Sequence, residues 1–168
     1  MVQINPDILL AYGAVTLKYN KGTIIFTEGA LPVYYYQVIS GEIKVYYTNT
    51  DGKDLTQGMF GAGNSFGEPP LLVGKPYPSN AIAFTDALII RISKERLMEI
   101  LKDYPDLTLA LLTTFAGRIY DKATTANILS TPAPEEKLLV FFNRLKAASC
   151  CTNTMEIPYT RQQIADFT

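Results

Sequence analysis

Turn-forming residues recur every 8 to 12 residues through the first ninety or so positions, and this spacing limits the fold more than any other feature. Glycine, present in every one of these turns, readily supplies the positive φ that tight turns need. Closely spaced turns join short antiparallel strands, so this part of the chain is predicted to form a β-sandwich or barrel. The turns are Asn20-Lys21-Gly22, Glu28-Gly29, Ser40-Gly41, Asp51-Gly52, Gly61-Ala62-Gly63 and Gly74-Lys75-Pro76.

The segments between these turns have the composition of strands. They are rich in β-branched and aromatic residues, which fit a pleated, half-buried surface. In one segment Lys44 and Tyr46 alternate with Ile43 and Val45, a pattern typical of a strand buried on one face. Asp51-Gly52 follows and predicts a hairpin turn. The predicted strands include 23–26, 33–39, 43–47 and 87–92.

After residue 92 the apolar spacing changes from that of strands to that of helices. Ser93 is a good N-cap, and the apolar residues that follow predict a short amphipathic helix ending near Pro105. The next segment, from Asp106 to about Ser130, contains no proline and a single glycine, so a long helix is expected. The inward residues of the short helix are predicted to be Leu97, Ile100, Leu101 and Tyr104.

The long helix carries two apolar stripes, and a helix that is apolar on two faces needs two partners. The stripe Leu107, Leu111 and Phe115 is expected to pack on the preceding sheet. The other stripe has heptad spacings of 3, 4, 3, 4 and 3 and predicts a homodimer; a single core helix without an oligomer is the alternative. The predicted dimer interface is Leu109, Leu112, Ala116, Ile119, Ala123 and Ala126.

The absence of histidine excludes many enzyme classes. No Ser-His-Asp or Cys-His nucleophile and no histidine-based metal or haem site can form. Cys150 and Cys151 are adjacent, which matches no zinc or CxxC spacing and provides no iron–sulfur cluster. We therefore expect no enzyme activity and no metal, haem or iron–sulfur cofactor, and the identity of any other cofactor stays open.

The overall charge and the hydropathy pattern predict a cytoplasmic protein without membrane association. The 15 Lys and Arg residues against 16 Asp and Glu residues give a net charge of −1, so no strong overall field attracts nucleic acid. A nucleic-acid interaction would need a local site. The first residues do not have the pattern of a secretion signal, and no apolar run reaches the roughly 18 residues of a membrane helix.

Three stretches of the chain, taken in order around the heptad helix, carry a family resemblance. They are residues 39–45, residues 63–68 together with 79–81, and residues 159–166. The chain resembles the family of bacterial transcription regulators that includes the cyclic-AMP receptor protein and FNR. The resemblance implies an α+β fold, in which an antiparallel β-roll (a jelly-roll-like double-stranded β-helix) precedes a long dimerisation helix and the start of a winged helix-turn-helix. The implied domains are 1–104, 105–130 and 131–168.

The resemblance also implies a small-molecule effector site on the roll, at the junction with the long helix. Such a cassette would consist of Phe66, Gly67, Glu68, Ser79, Asn80 and Ala81. Its helix start would present N–H groups to an anion. In relatives that bind cyclic AMP, an arginine directly before the Ser79 position pairs with the phosphate, whereas this chain has Pro78. Loss of such a pair costs about 1.5–3 kcal/mol, so cyclic AMP is not expected to be the effector. Two alternatives remain open for the cassette: it binds a different effector, or it is a loop that only packs on the long helix.

The same resemblance implies binding to DNA and to RNA polymerase. Thr160, Arg161 and Gln162 begin a segment that resembles the first helix of a helix-turn-helix, and the recognition helix would follow the last residue. In the segment 131–168 four basic residues balance four acidic ones, so this segment by itself is expected to bind DNA weakly. Thr131-Pro132-Ala133-Pro134 is predicted to be the hinge before it. The alternative is a cyclic-nucleotide-binding-like module that regulates a partner protein without binding DNA.

Overall fold

The computed structural model describes residues 4–129 and the single residues Leu139 and Phe142. The chain divides into two compact units, Met1–Thr114 and Phe115–Thr168. The division falls inside the long helix, so the first residues of that helix belong to the unit that contains the sheets. The expected hinge at 131–134, the helix after it, and Thr160, Arg161 and Gln162 lie outside the described residues.

The first unit is built on two antiparallel sheets of four strands each. One sheet has the strand order β1-β8-β3-β6 and the other β2-β7-β4-β5. This arrangement confirms the antiparallel β-roll of an α+β fold. The strands are β1 Val15–Tyr19, β2 Ile24–Phe26, β3 Tyr34–Ser40, β4 Ile43–Thr48, β5 Asp54–Phe60, β6 Ser65–Phe66, β7 Asn80–Ala83 and β8 Ala87–Ser93. The helices are α1 Pro6–Ala11, α2 Glu68–Val73, α3 Lys94–Asp103 and α4 Pro105–Leu129.

The predicted hairpin between β4 and β5 is present. Gly52 has a φ of 76°, as the sequence requires for this turn. The side-chain oxygen of Asn49 accepts hydrogen bonds from the backbone N–H groups of Asp51 at 3.0 Å and Lys53 at 2.8 Å. An Asx turn therefore closes the hairpin in addition to the glycine.

The alternation of burial along β4 is weaker than the sequence indicates. Ile43 is fully buried, but the four residues that follow are all intermediate in exposure. The Lys44 ammonium lies 3.2 Å from a carboxylate oxygen of Asp54 and 4.9 Å from the centre of the Tyr46 ring. These polar residues cover one another, which reduces the contrast between the two faces.

The described part of the first unit has two hydrophobic cores, one on each side of the sheet that contains β8. The core inside the roll, here called the roll core, lies between the two sheets; the core on the other side, here called the helix-side core, lies under α1, α2 and α3. The roll core consists of Phe26, Tyr36, Val38, Ile43, Phe66, Tyr77, Ala81, Ala83, Ala87 and Ile89. The helix-side core consists of Ile4, Leu9, Ala14, Tyr35, Leu71, Ile90, Ile92, Leu97 and Ile100.

Helix α3 follows the predicted pattern with one exception. The Ser93 hydroxyl caps the helix by accepting from the Arg96 N–H at 3.4 Å, and Leu97 and Ile100 are buried. The expectation that Tyr104 faces inward is wrong, because Tyr104 ends the helix in a non-helical conformation and its side chain is 40% exposed. Pro105 is the first residue of α4, a position where proline's missing N–H costs nothing.

The two faces of α4 differ in burial as the sequence indicates. Leu111 is 5% exposed, and Leu107 packs against the helix-side core. The heptad stripe is exposed: Leu109 is 66% and Ile119 68% accessible. Leu112, Ala116 and Ala123 of the same stripe are exposed too. The side chain of Ala126 is not among those that the structure describes. The exposed stripe is the surface for which the sequence predicts a second copy of the chain.

Candidate effector site

Gly67 is the residue that turns the chain from β6 into α2. It has a φ of 75°, which favours glycine. A Cβ at this position would also lie 3.1 Å from the Phe26 ring and 3.2 Å from the Tyr77 ring. Both the backbone conformation and the packing therefore favour glycine between Phe66 and Glu68.

The start of α2 has fewer hydrogen-bond donors than the resemblance implies. Pro69 and Pro70 occupy the first turn of this helix, and proline has no backbone N–H. The helix itself is only 6 residues long. The expected cradle of free N–H groups for an anion is therefore largely missing, because two of the groups that would form it do not exist.

The second segment of the cassette runs from Tyr77 into β7. Ser79 is 4% exposed and Ala81 is completely buried in the roll core, whereas Pro78 is exposed. The Asn80 side-chain oxygen accepts the backbone N–H of Glu28 at 2.9 Å. Asn80 therefore binds a neighbouring loop, and Ala81 packs in the roll core. The buried polar side chains of the cassette are Ser79 and Glu68.

Tyr77 connects the two segments, and sequence reasoning did not select it as a site residue. Its ring stacks on Phe26 with centroids 3.7 Å apart and planes at 4°. Phe26 in turn packs on Phe66, and Phe66 on Tyr36 with centroids 5.3 Å apart. The backbone of Tyr77 also exchanges hydrogen bonds of 2.9 Å with Gly29 and Ala30. The cassette is thus lined by stacked aromatic rings that belong to the roll core.

Between residues 66 and 81 the cassette contains a buried carboxyl group and no buried cation. Glu68 is 1% exposed. Burial raises the pKa of Tyr77, and the neighbouring Tyr36 and the Glu68 carboxyl add to the rise. The single Lys or Arg between residues 66 and 81 is Lys75, which is exposed. A phosphate group would meet a buried carboxyl here without a cation in this segment to offset it.

Helix α2 lies between the cassette and the helix-side core. Its first residue is the cassette residue Glu68, and Leu71, one turn later, is 1% exposed in the helix-side core. The same core contains Leu97 and Ile100 of α3, and Leu107 of α4 packs against it. A displacement of α2 would therefore change the packing under α4.

An open pocket that the sequence did not predict lies between the end of α1 and α3. It is lined by Ala11, Tyr12, Gly13, Arg96 and Glu99. The Tyr12 hydroxyl donates a hydrogen bond of 2.6 Å to Asp103, and this bond raises the pKa of Tyr12 to about 12. Arg96 and Glu99 form an ion pair of 2.7 Å within α3.

Among residues 4–129, no three or more acidic or cysteine side chains converge closely enough to hold a metal ion. None of the helices in the described part combines the length and apolar character needed to cross a membrane.

Comparison with known proteins identifies the roll. Residues 16–104 match the family model described as the cyclic nucleotide-binding domain. The cyclic AMP receptor protein of Thermus thermophilus is 27% identical over 124 residues, which are 74% of this chain and 57% of that protein. The probable transcriptional regulator flp of Lacticaseibacillus casei is 25% identical over 98% of this chain and 75% of its own length. The chain therefore spans little more than half of the first of these relatives.

Solved structures agree with the fold. The c-di-GMP-responsive global regulator CLP of Xanthomonas campestris is 23% identical and superposes with a TM-score of 0.77, covering 95% of this chain and 81% of that one. Fungal lysophospholipases match as well: nte1 of Aspergillus oryzae is 22% identical over 81% of this chain, but the match covers 9% of the enzyme. Similarity to the roll is thus found both in transcription regulators and in a small part of large enzymes.

Proposed function

The chain belongs to the cyclic nucleotide-binding domain family, and from this membership we propose that the protein is a cytoplasmic, homodimeric transcription regulator of the cyclic-AMP receptor protein and FNR type. It is not an enzyme; its partners are a second copy, DNA and RNA polymerase. One observation carries this proposal: directly after the family's roll, α4 presents an exposed heptad stripe on the face opposite its buried leucines. A helix of that kind suits a sensor that transmits a signal through a dimer.

The packing around α2 supports a sensing role for the roll. An effector at the cassette would contact the segment that begins α2, and Leu71 would carry a displacement into the helix-side core. Because Leu107 of α4 packs on that core, the displacement would change how α4 is held. Protein cores are closely packed and respond to small shifts by repacking, so this connection couples the cassette to the dimer helix.

The second candidate function is a regulatory module that controls a partner protein and does not bind DNA. The match to a small part of fungal lysophospholipases favours it, because the same fold there accompanies an enzyme. The likeness to a probable transcriptional regulator over 98% of the chain favours the first proposal.

Selection of DNA by the purified full-length protein tests the proposal. A pool of random duplexes is incubated with the protein, bound duplexes are amplified, and the cycle is repeated and sequenced. We expect a motif with two-fold symmetry, because a symmetric dimer reads two equivalent half-sites. The double variant L109A/L112A, which removes two exposed leucines of the stripe, should weaken the selection strongly. A pool that stays random after repeated cycles would favour the regulatory module.

A further inference from the structure

Arg91 of β8 lies on the inner face of the roll. Ala87 and Ile89, four and two residues earlier, belong to the roll core. Since alternate residues of a strand share a face, Arg91 shares theirs, whereas Ile90 faces the helix-side core. Tyr36 is paired with Arg91 directly across the sheet on β3.

The contacts of Arg91 are to aromatic residues. Its guanidinium carbon lies 4.3 Å from the centre of the Tyr34 ring. Burial raises the pKa of Tyr36, and Tyr19 adds to the rise, whereas Arg91 opposes it through its charge and a hydrogen bond to the Tyr36 side chain. The Nε–H of Arg91 is buried and has no hydrogen-bond partner in the described part of the chain.

Arg91 also lacks a carboxylate partner among the residues that the structure describes. Two ion pairs in this part of the chain, Lys44 with Asp54 and Arg96 with Glu99, do not involve Arg91. A guanidinium carries five N–H donors, and a partly buried cation is unfavourable without an anion beside it. Solvent reaches this level of the sheet, because Val15, the partner of Arg91 on β1, is 48% exposed. Arg91 itself is intermediate in exposure, so its N–H donors are not completely closed off from solvent.

We propose that Arg91 anchors an oxyanion-binding site on the inner face of the roll, which takes the carboxylate or phosphate group of a small molecule. The forked N–H groups of a guanidinium match two oxygens of either group, and the Tyr36 hydroxyl is a second donor beside it. Arg91 is not a residue of the effector cassette but lies next to it, because Tyr36 of β3 pairs with Arg91 on one side and with Phe66 on the other. The site does not depend on whether the protein binds DNA.

Thermal denaturation in three sodium salts of equal ionic strength tests the site. The salts are phosphate, acetate and chloride, and the proteins are wild type, R91Q and, as the matched control, R96Q, which changes an exposed arginine. A ligand that binds only the folded state raises the melting temperature. We expect phosphate, acetate or both to raise it above its value in chloride for wild type and R96Q, and R91Q to lose this increase. The salt that acts identifies the group that is bound.

Equal melting temperatures in the three salts, or an increase that R91Q retains, would overturn the proposal. A second measurement covers the case in which R91Q does not fold. NMR titration of the wild-type protein with phosphate and with acetate follows the side-chain Nε–Hε signal of Arg91. The signal should move with at least one of the salts and saturate; a signal that moves with neither contradicts the site.

Discussion

Gly41 stands where the chain turns from β3 into β4, and its backbone touches a neighbouring strand. Its φ is 84°, and a Cβ there would collide with the carbonyl oxygen of Asp86 and come within 2.7 Å of the Ala87 Cα. Both obstacles are backbone atoms of the segment that enters β8. They can give way only if the sheet itself moves.

The variant G41A is therefore expected to lower the free energy of unfolding by about 2–4 kcal/mol, the sum of left-handed backbone strain and overpacking. G61A is the matched control, because Gly61 does not have a positive φ and a Cβ added there would have no atom within 4 Å. It should change stability by less than about 0.5 kcal/mol. Urea denaturation measures both, and similar losses in the two variants would contradict the packing described for Gly41.

Pro78 bears on the effector, because the resemblance places a phosphate-binding arginine there. Titration calorimetry of the wild-type chain with cyclic AMP should detect no binding tighter than about 100 μM. In P78R the added cation should increase the affinity by about ten- to a hundred-fold, the effect of one charge-assisted pair. A low-micromolar dissociation constant for the wild type would show that the cassette does not need the arginine.

Several side-chain roles at the cassette were out of reach of sequence reasoning. Tyr77 precedes a short strand and carries no motif, and its place on Phe26 is set by hydrogen bonds to a loop distant in sequence. The hydrogen bond between the Asn80 side chain and the Glu28 backbone joins residues 52 positions apart, so no local sequence pattern predicts it. The loss of donors at Pro69 and Pro70 was readable, since proline lacks an N–H wherever it occurs. Contacts between distant segments therefore account for what the sequence did not reveal.

At the scale of elements, segments with a clear periodic or β-branched pattern were predictable, and segments without such a pattern were not. The boundaries of β8 and α3 lie within a residue or so of expectation, because β-branched runs and a capping serine mark them. By contrast, β6 has 2 residues and β5 contains a glycine, so neither has a pattern of its own. These strands form because the neighbouring strands pair with them.

Helix α4 offers two adjacent leucines with different environments. Leu111 is 5% exposed, so L111A should leave a cavity and lower the free energy of unfolding by about 2–5 kcal/mol. Leu112 is 59% exposed, so L112A should change the stability of the roll by less than about 0.5 kcal/mol. Urea denaturation, followed through the signal of the roll's tyrosines, measures the free energy of unfolding of both variants.

Sedimentation equilibrium of the same two variants tests the heptad stripe. L112A should weaken dimerisation at least ten-fold, since burying a leucine contributes about 1.5–3 kcal/mol at each of two symmetric positions. L111A should keep the wild-type association wherever it is folded. A wild-type chain that remains monomeric at tens of micromolar would instead support a single core helix without an oligomer.

At the scale of the whole molecule, the near-zero net charge shows that overall electrostatics does not draw this chain to DNA. The proposed function therefore depends on a local DNA-binding surface held by a dimer, with the roll as the sensor. The family match covers the roll, and the similarity to a regulator extends over nearly the whole chain. The protein is therefore expected to bind specific DNA sites in the cell.

Sequencing of DNA that immunoprecipitates with the epitope-tagged full-length protein, from cells of the source organism, tests this claim most directly. We expect discrete peaks near promoters that share a motif with two-fold symmetry and half-sites one turn, or about 34–36 Å, apart. Peaks should weaken in cells that carry the L109A/L112A variant. Enrichment no greater than in untagged cells would contradict the account and leave the regulatory module in its place.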